Sequence, residues 1–245
     1  MSAAVFELGD DFNLTVMHKR SNWNWQASDL RAAWGENNRI LAGRYELEED
    51  GGTWLGVSRD GRVAFLVNDI NQASPCDLLP TLFLRGNDSP HAFASRVNEI
   101  NEDIILGDTF HLIVGDFHLN SMVYLGTTNN PNLPWLQIAD VGVGVHTLSI
   151  EGLDSAIPMY ADLAHTFTDA INGDQALMDI AMAVMTDMNG PNPHFQEMMN
   201  APDEPQHGTT STTALKINAT GQVLFYERYL ENGQWRERDF VFGIE

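Results

Sequence analysis

Strand-forming runs open and close this chain, and helix-forming runs are confined to its middle. Residues 2–8 and 12–18 read as two short strands around a turn at Gly9–Asp11, with Leu14, Val16 and their neighbours alternating as in a half-buried strand. Towards the other end Ser211–Asn218, Gln222–Tyr229 and Trp235–Phe242 have the same character, with turns at Ala219–Gly221 and Asn232–Gly233. Strands on both sides of a helical section, with no linker of changed composition, predict one interwoven domain over residues 1–245. Hydrophobic residues at 43% and charged residues at 19% are enough for a packed core.

Between the ends the clearest local signal is Asp60–Gly61, a two-residue hairpin turn joining strands at Thr53–Val57 and Arg62–Val67. The stretch before it, carrying Trp23, Trp25 and Trp34 and ending at Gly43, reads as irregular chain whose indoles cover a core edge. Helices are expected at Asp77–Leu84 and Pro90–Asn101, the second capped by Ser89 with proline at its first position. Strands resume at Phe110–Val114, Ser121–Leu125, Trp135–Ile138 and Gly144–Leu148. A helical pair follows at Pro158–Ile171 and Gln175–Met188, with Leu177, Ile180, Ala181 and Val184 on one face. Met178, Met182, Met185 and Met188 at helical spacing read as adaptable packing rather than a cofactor box. Residues 189–208 form a surface loop long enough to act as a lid.

Charge narrows the partners. Against 34 acidic residues stand 13 basic ones, a net −21, and the only lysines are Lys19 and Lys216. Such a surface repels nucleic acid and anionic lipid and favours solubility, as in a saline habitat. The single cysteine, Cys76, allows no intramolecular disulfide and reads as a small core residue. No apolar run reaches the roughly 18 residues of a spanning helix and no cleavable leader is visible, so a cytoplasmic location is expected. No Cys-x-x-Cys-His haem motif is present, the histidines lack metal-site spacing, and His18 and His207 read as ordinary polar residues; no cofactor is expected.

Four blocks then stand in order: Ile40-Leu41-Ala42-Gly43-Arg44, Gly51-Gly52-Thr53-Trp54-Leu55-Gly56-Val57, Asp60-Gly61-Arg62 and Phe65-Leu66-Val67-Asn68. With His207-Gly208-Thr209-Thr210-Ser211-Thr212 and Tyr226-Glu227-Arg228-Tyr229-Leu230 near the end, they resemble the NRDE (transport-and-Golgi-organisation) family along nearly the whole chain. The resemblance implies an α+β fold like that of N-terminal-nucleophile hydrolases: a four-layer αββα sandwich of two mainly antiparallel sheets flanked by helices.

It also implies where a site would lie. In catalytic members of that fold a Cys, Ser or Thr following the initiator attacks a carbonyl, its own α-amine of pKa about 7.7–8.0 serving as base. Family members usually begin Met-Cys, whereas this chain begins Met1-Ser2, so Ser2 stands at the nucleophile position. The family's Asn-Arg-Asp-Glu aligns with Lys19-Arg20-Ser21-Asn22, which keeps the arginine and loses both carboxylates. The family's Ser-Asn pair aligns with Ser149-Ile150, and an isoleucine side chain donates no hydrogen bond to an oxyanion. The arginine of the family's G-T-R-S is replaced by Thr210. Ser2, Arg20 and Asn68 remain, and they are expected to converge at the mouth between the sheets.

Two functions follow from the resemblance. The first is non-catalytic binding or handling of a small or partly apolar cargo, given the family's association with haem and lipid or acyl-CoA homeostasis. The alternative is a divergent amidohydrolase with Ser2 as nucleophile, Arg20 holding a substrate carboxylate or carbonyl, and Asn68 in the oxyanion hole.

Overall fold

The computed structural model describes residues 2–23, 32–35, 38–43, 52–68, 75–99, 109–128, 132–173, 175–187, 207–231 and 234–245. Met1, Trp25, the 189–206 part of the lid expectation and the Asn232–Gly233 turn lie outside these residues.

The first sheet is built from β1 (Ala3–Leu8), β2 (Leu14–Trp23), β10 (Gly144–Ser149), β11 (Gly152–Leu153), β12 (His207–Ile217), β13 (Gln222–Glu231) and β14 (Gln234–Gly243). Their order is β11-β10-β1-β2-β12-β13-β14. The second sheet keeps chain order, β3-β4-β5-β6-β7-β8-β9. Its strands are β3 (Ala32–Gly35), β4 (Ile40–Gly43), β5 (Leu55–Ser58), β6 (Arg62–Asn68), β7 (Phe110–Asp116), β8 (Ser121–Thr127) and β9 (Leu136–Asp140). Every pairing in both sheets is antiparallel.

Strand alternation sorts side chains into three apolar layers. Ala4, Phe6, Val16, Phe65, Val67, Ile113 and Leu215 meet between the sheets. Ala64, Leu66, Leu112 and Val114 point the other way, onto α1 (Leu78–Arg85) and α2 (Pro90–Glu99). On the far side Ala3, Val5, Met17 and Ala214 pack on α3 (Pro158–Ile171) and α4 (Leu177–Asp187). The layers therefore run helix, sheet, sheet, helix, as the resemblance implies. Phe83, Phe93, Tyr160 and Phe167 are the helical anchors, each at most 1% exposed, and burial of such a side chain stabilises by roughly 1.5–3 kcal/mol.

Several local features follow directly from sequence. Ser89 Oγ accepts the Ala92 amide at 3.2 Å before Pro90 opens α2. Ser89→Ala is expected to cost about 1 kcal/mol by urea denaturation, and an unchanged midpoint would remove the capping role. The β5–β6 turn is wider than two residues: the Gly61 amide donates to Ser58 O at 3.1 Å, and Gly61 sits at φ 77°. Left-handed backbone is where glycine costs least, so the Asp-Gly signal is kept in a three-residue connection, 59–61.

The stretch expected to be irregular holds β3 and β4, each four residues long. Alternation over so short a run is too weak to read. Trp34, in β3, covers a core edge as expected, with its ring edge-on to Phe242 at 4.8 Å. Cys76 is fully buried, and of the α4 methionines Met185 joins the core while Met178 is exposed.

At one end of the sandwich the turns after β5, β7 and β12 come together. The Ile244 amide donates to Gly221 O at 2.8 Å and the Glu245 amide to Arg59 O at 2.8 Å, so residues 244–245 tie the first sheet to the second. The opposite end is where β1 starts, β2 and β6 finish and β7 begins. Ser2, Arg20 and Asn68 all lie there.

Candidate functional site

Ser2 and Arg20 come to one face by register. Ala3 pairs with Lys19, so extending the ladder by one pair sets Ser2 opposite Arg20. On β2, Leu14 and Val16 point between the sheets, and His18 and Arg20 continue that face. Ser2 is 3% exposed and Arg20 1%.

Arg20 lies 4.7 Å over the Trp54 ring, a cation–π contact of the buried kind. Burial pulls its guanidinium down to about 10, while the negative charge of Asp77, and less so Cys76, pulls it back up. It remains cationic at neutral pH. Neighbouring Lys19 points away from the inter-sheet space, and burial lowers its ammonium to about 8. Ser21 and Asn22 continue β2, but their side chains lie outside the described residues.

Asn68 does not share the inter-sheet face. It ends β6 on the side of Ala64 and Leu66, and its Nδ2 donates to Asp77 Oδ1 at 2.9 Å and towards Cys76 Sγ at 3.5 Å. Asp77 is thus the residue that joins Asn68 to Arg20. Sequence reasoning missed it, placing Asp77 only as the first residue of the expected Asp77–Leu84 helix. Its side chain makes no cap hydrogen bond.

The Gly-Gly-Thr-Trp block acquires a reason here. Thr53 N donates to Asp77 O at 3.0 Å, and a Cβ on Gly52 would stand 2.6 Å from Asp77 Cβ. A Cβ on Gly43 would stand 2.4 Å from the Trp54 ring. Two glycines therefore make room for the carboxylate and the indole that hold Arg20.

The remaining positions are closed by other contacts. Ser149 Oγ accepts the Glu151 amide at 3.1 Å, and Ile150 O accepts from His111 Nε2 at 2.9 Å. Because that nitrogen donates, His111 Nδ1 accepts from the Tyr124 hydroxyl at 2.8 Å. Desolvation lowers the His111 pKa and pushes the Tyr124 phenol up to about 12. Thr210 is the extra residue of a bulge: Thr209 pairs with Ser21 but Ser211 with Arg20. His18 Nε2 donates across the interior to Leu66 O at 2.9 Å, and burial holds its ring neutral, down to about 4. The side chain of His207 lies outside the described residues. Among the described residues no three His, Cys, Asp or Glu side chains gather as a metal site, and no helix is long and apolar enough to cross a membrane.

A second feature lies on the outer face of the first sheet. Leu177 and Met178 of α4, with Leu224, Tyr226 and Val241, line an open, mainly apolar groove of about 350 Å³.

Residues 1–232 match the family model described as Transport and Golgi organisation 2. The Transport and Golgi organization protein 2 homolog of Homo sapiens is 25% identical over 267 residues, covering 96% of this chain and 94% of that protein. The Mus musculus homolog is 22% identical over the same shares. Crystal structures of two variants of the conjugated bile acid hydrolase from Clostridium perfringens align over 100% of this chain and 97% of theirs, at 12% identity and TM-scores of 0.47 and 0.44.

Proposed function

Because the chain belongs to the Transport and Golgi organisation 2 family, we propose that it is a non-catalytic protein that binds a small, partly apolar cargo. The observation that carries this reading is the commitment of Asn68 to Asp77. An oxyanion hole needs donors aimed at empty space where charge will develop, and this amide is already spent on a carboxylate. Arg20 is likewise engaged, by Trp54 and the Asp77 charge. Ile150 supplies no side-chain donor to replace them.

The groove under Leu177 and Val241 is where such a cargo would sit. Its volume falls within the range of small-molecule sites. No histidine or cysteine lines it, and Met178 is its one soft donor, which favours an acyl chain over a haem iron. Val241 is 60% exposed, so a charge there should be tolerated by the fold while opposing an alkyl ligand.

Two measurements test this together. Intact mass of untagged protein from its native host, before and after a serine-acylating β-lactone, is expected to reveal no adduct at Ser2 whether or not Met1 is retained. A fluorescent fatty acid, cis-parinaric acid, is expected to bind, and Val241→Asp to weaken it about tenfold, near 1.4 kcal/mol. An adduct abolished by Ser2→Ala would establish the amidohydrolase alternative instead.

A further inference from the structure

The interior between the sheets is not uniformly apolar. His18 on β2 pairs with Thr213 on β12, and Thr213 with Glu227 on β13, so three polar side chains stand in a row across the strands. Cβ atoms of such neighbours lie roughly 4.5–5.5 Å apart. Ser211, two residues along β12, continues the row beside Arg20. All four are at most 1% exposed.

Each presents a buried polar atom with no hydrogen-bond partner among the described residues: His18 Nδ1, Thr213 Oγ1, Glu227 Oε1 and Ser211 Oγ. Isolated orphans of this kind are rare in folded proteins, and each costs roughly 1–3 kcal/mol if left dry. Four in one row is a built feature.

The row also has a direction. Glu227 Oε2 accepts the Ala32 amide, which leaves Oε1 as the atom that carries the proton when the carboxyl is neutral. Burial pushes that carboxyl up to about 8, with the Ala32 amide and Arg238 acting against it. At the other end His18 Nε2 donates to Leu66 O, so Nδ1 offers only a lone pair. A donor thus faces an acceptor across a hydroxyl that can serve as both. Arg238, opposite Glu227 on β14, closes the far end of the row, and its guanidinium donates to Tyr229 Oη at 3.1 Å and to Ala32 O at 3.5 Å rather than to the four orphan atoms.

We infer that this row is an internal water site, in which ordered waters link Glu227 Oε1, Thr213 Oγ1 and His18 Nδ1, branch to Ser211 and form a proton path from the buried carboxyl towards the Ser2–Arg20 end. Buried waters typically make about three hydrogen bonds each, to such groups and to one another, and this row supplies four of them. The site is independent of the apolar groove and of any cargo.

Infrared difference spectra between the wild type and Glu227→Gln at pH 6 isolate the protonated carboxyl band. On transfer to D₂O the wild-type band is expected to shift within seconds, and Thr213→Val to slow that exchange about tenfold or more by breaking the chain of waters. Equal rates in the two proteins, or a wild-type band at the position of a carboxyl without hydrogen bonds, would overturn the inference. A high-resolution structure of the wild type gives a readout that needs no variant. Waters within hydrogen-bond reach of at least two of the four atoms support the site, whereas a dry row or side chains closed directly on one another refute it.

Discussion

Asp77→Ala is expected to cost about 3–5 kcal/mol of stability, the range for removing one partner of a buried charge pair. Asp77 is 3% exposed and faces two dependants at once, the Arg20 charge and the Asn68 amide. Its loss leaves a cation in the interior without the carboxylate that most favours its charge, and an amide with only the Cys76 sulfur to donate to. Asp77→Asn, which keeps an acceptor for Asn68 but no charge, should cost less than Asp77→Ala. Combining Asp77→Asn with Arg20→Met should cost less than the sum of the two, because the second change removes the charge that the first exposes. Urea denaturation of the wild type and the four variants is the measurement. A loss below about 1 kcal/mol in Asp77→Ala would show that the pair is not what holds this end of the sandwich together.

The second large effect is a pH dependence set by Glu227. Its carboxyl titrates near 8 when folded against 4.5 for the free group, so between those values the folded state holds a proton that the unfolded chain has released. Stability then falls as pH rises through this window, by about 5 kcal/mol at most if the whole shift is realised. His18 acts with the opposite sign. Held near 4 against 6.5, it makes the fold lose stability as pH drops from 6.5. The two slopes oppose each other between pH 4.5 and 6.5, so the decline of wild-type stability with rising pH should fall between 6.5 and 8. His146, raised by its hydrogen bond to Asp154, adds to the decline, and His111, lowered by burial, adds to the loss at acid pH. Lys19 titrates near 8 when folded and takes effect only above that window. Glu227→Gln isolates the carboxyl: its urea midpoint should not follow the wild-type fall above pH 6.5. Parallel curves for the two proteins would refute the assignment.

Local, periodic features were legible in the sequence. The β5–β6 hairpin, the Ser89–Pro90 helix start and the Leu177, Ile180, Ala181, Val184 face each depend on residues a few positions apart. The short strands β3, β4 and β11 were not, because two to four residues carry no usable alternation and their partners lie elsewhere in the chain. Residues of the site divide in the same way. The family resemblance singles out Ser2, Arg20 and Asn68, yet alternation along β6 turns Asn68 to the other face of its sheet, and only Asp77 reconnects it. Glu227 was hidden for a different reason. Within Tyr226-Glu227-Arg228-Tyr229 a charged residue looks like the wet side of a strand, but a sheet with helices on one face and a second sheet on the other has little wet side to offer.

The tie made by Ile244 and Glu245 gives the sandwich a mechanical asymmetry. One end is riveted by a main-chain bond that crosses from sheet to sheet, from the Glu245 amide to Arg59 O, with Ile244 held to its own sheet through Gly221 O. At the other end the interior holds Arg20, with His18 reaching across the gap to Leu66, and these contacts respond to charge and solvent. Breathing of one sheet against the other therefore pivots about the rivet, as the jaws of a clamp do. The end that holds Ser2 and Arg20 is therefore expected to open first.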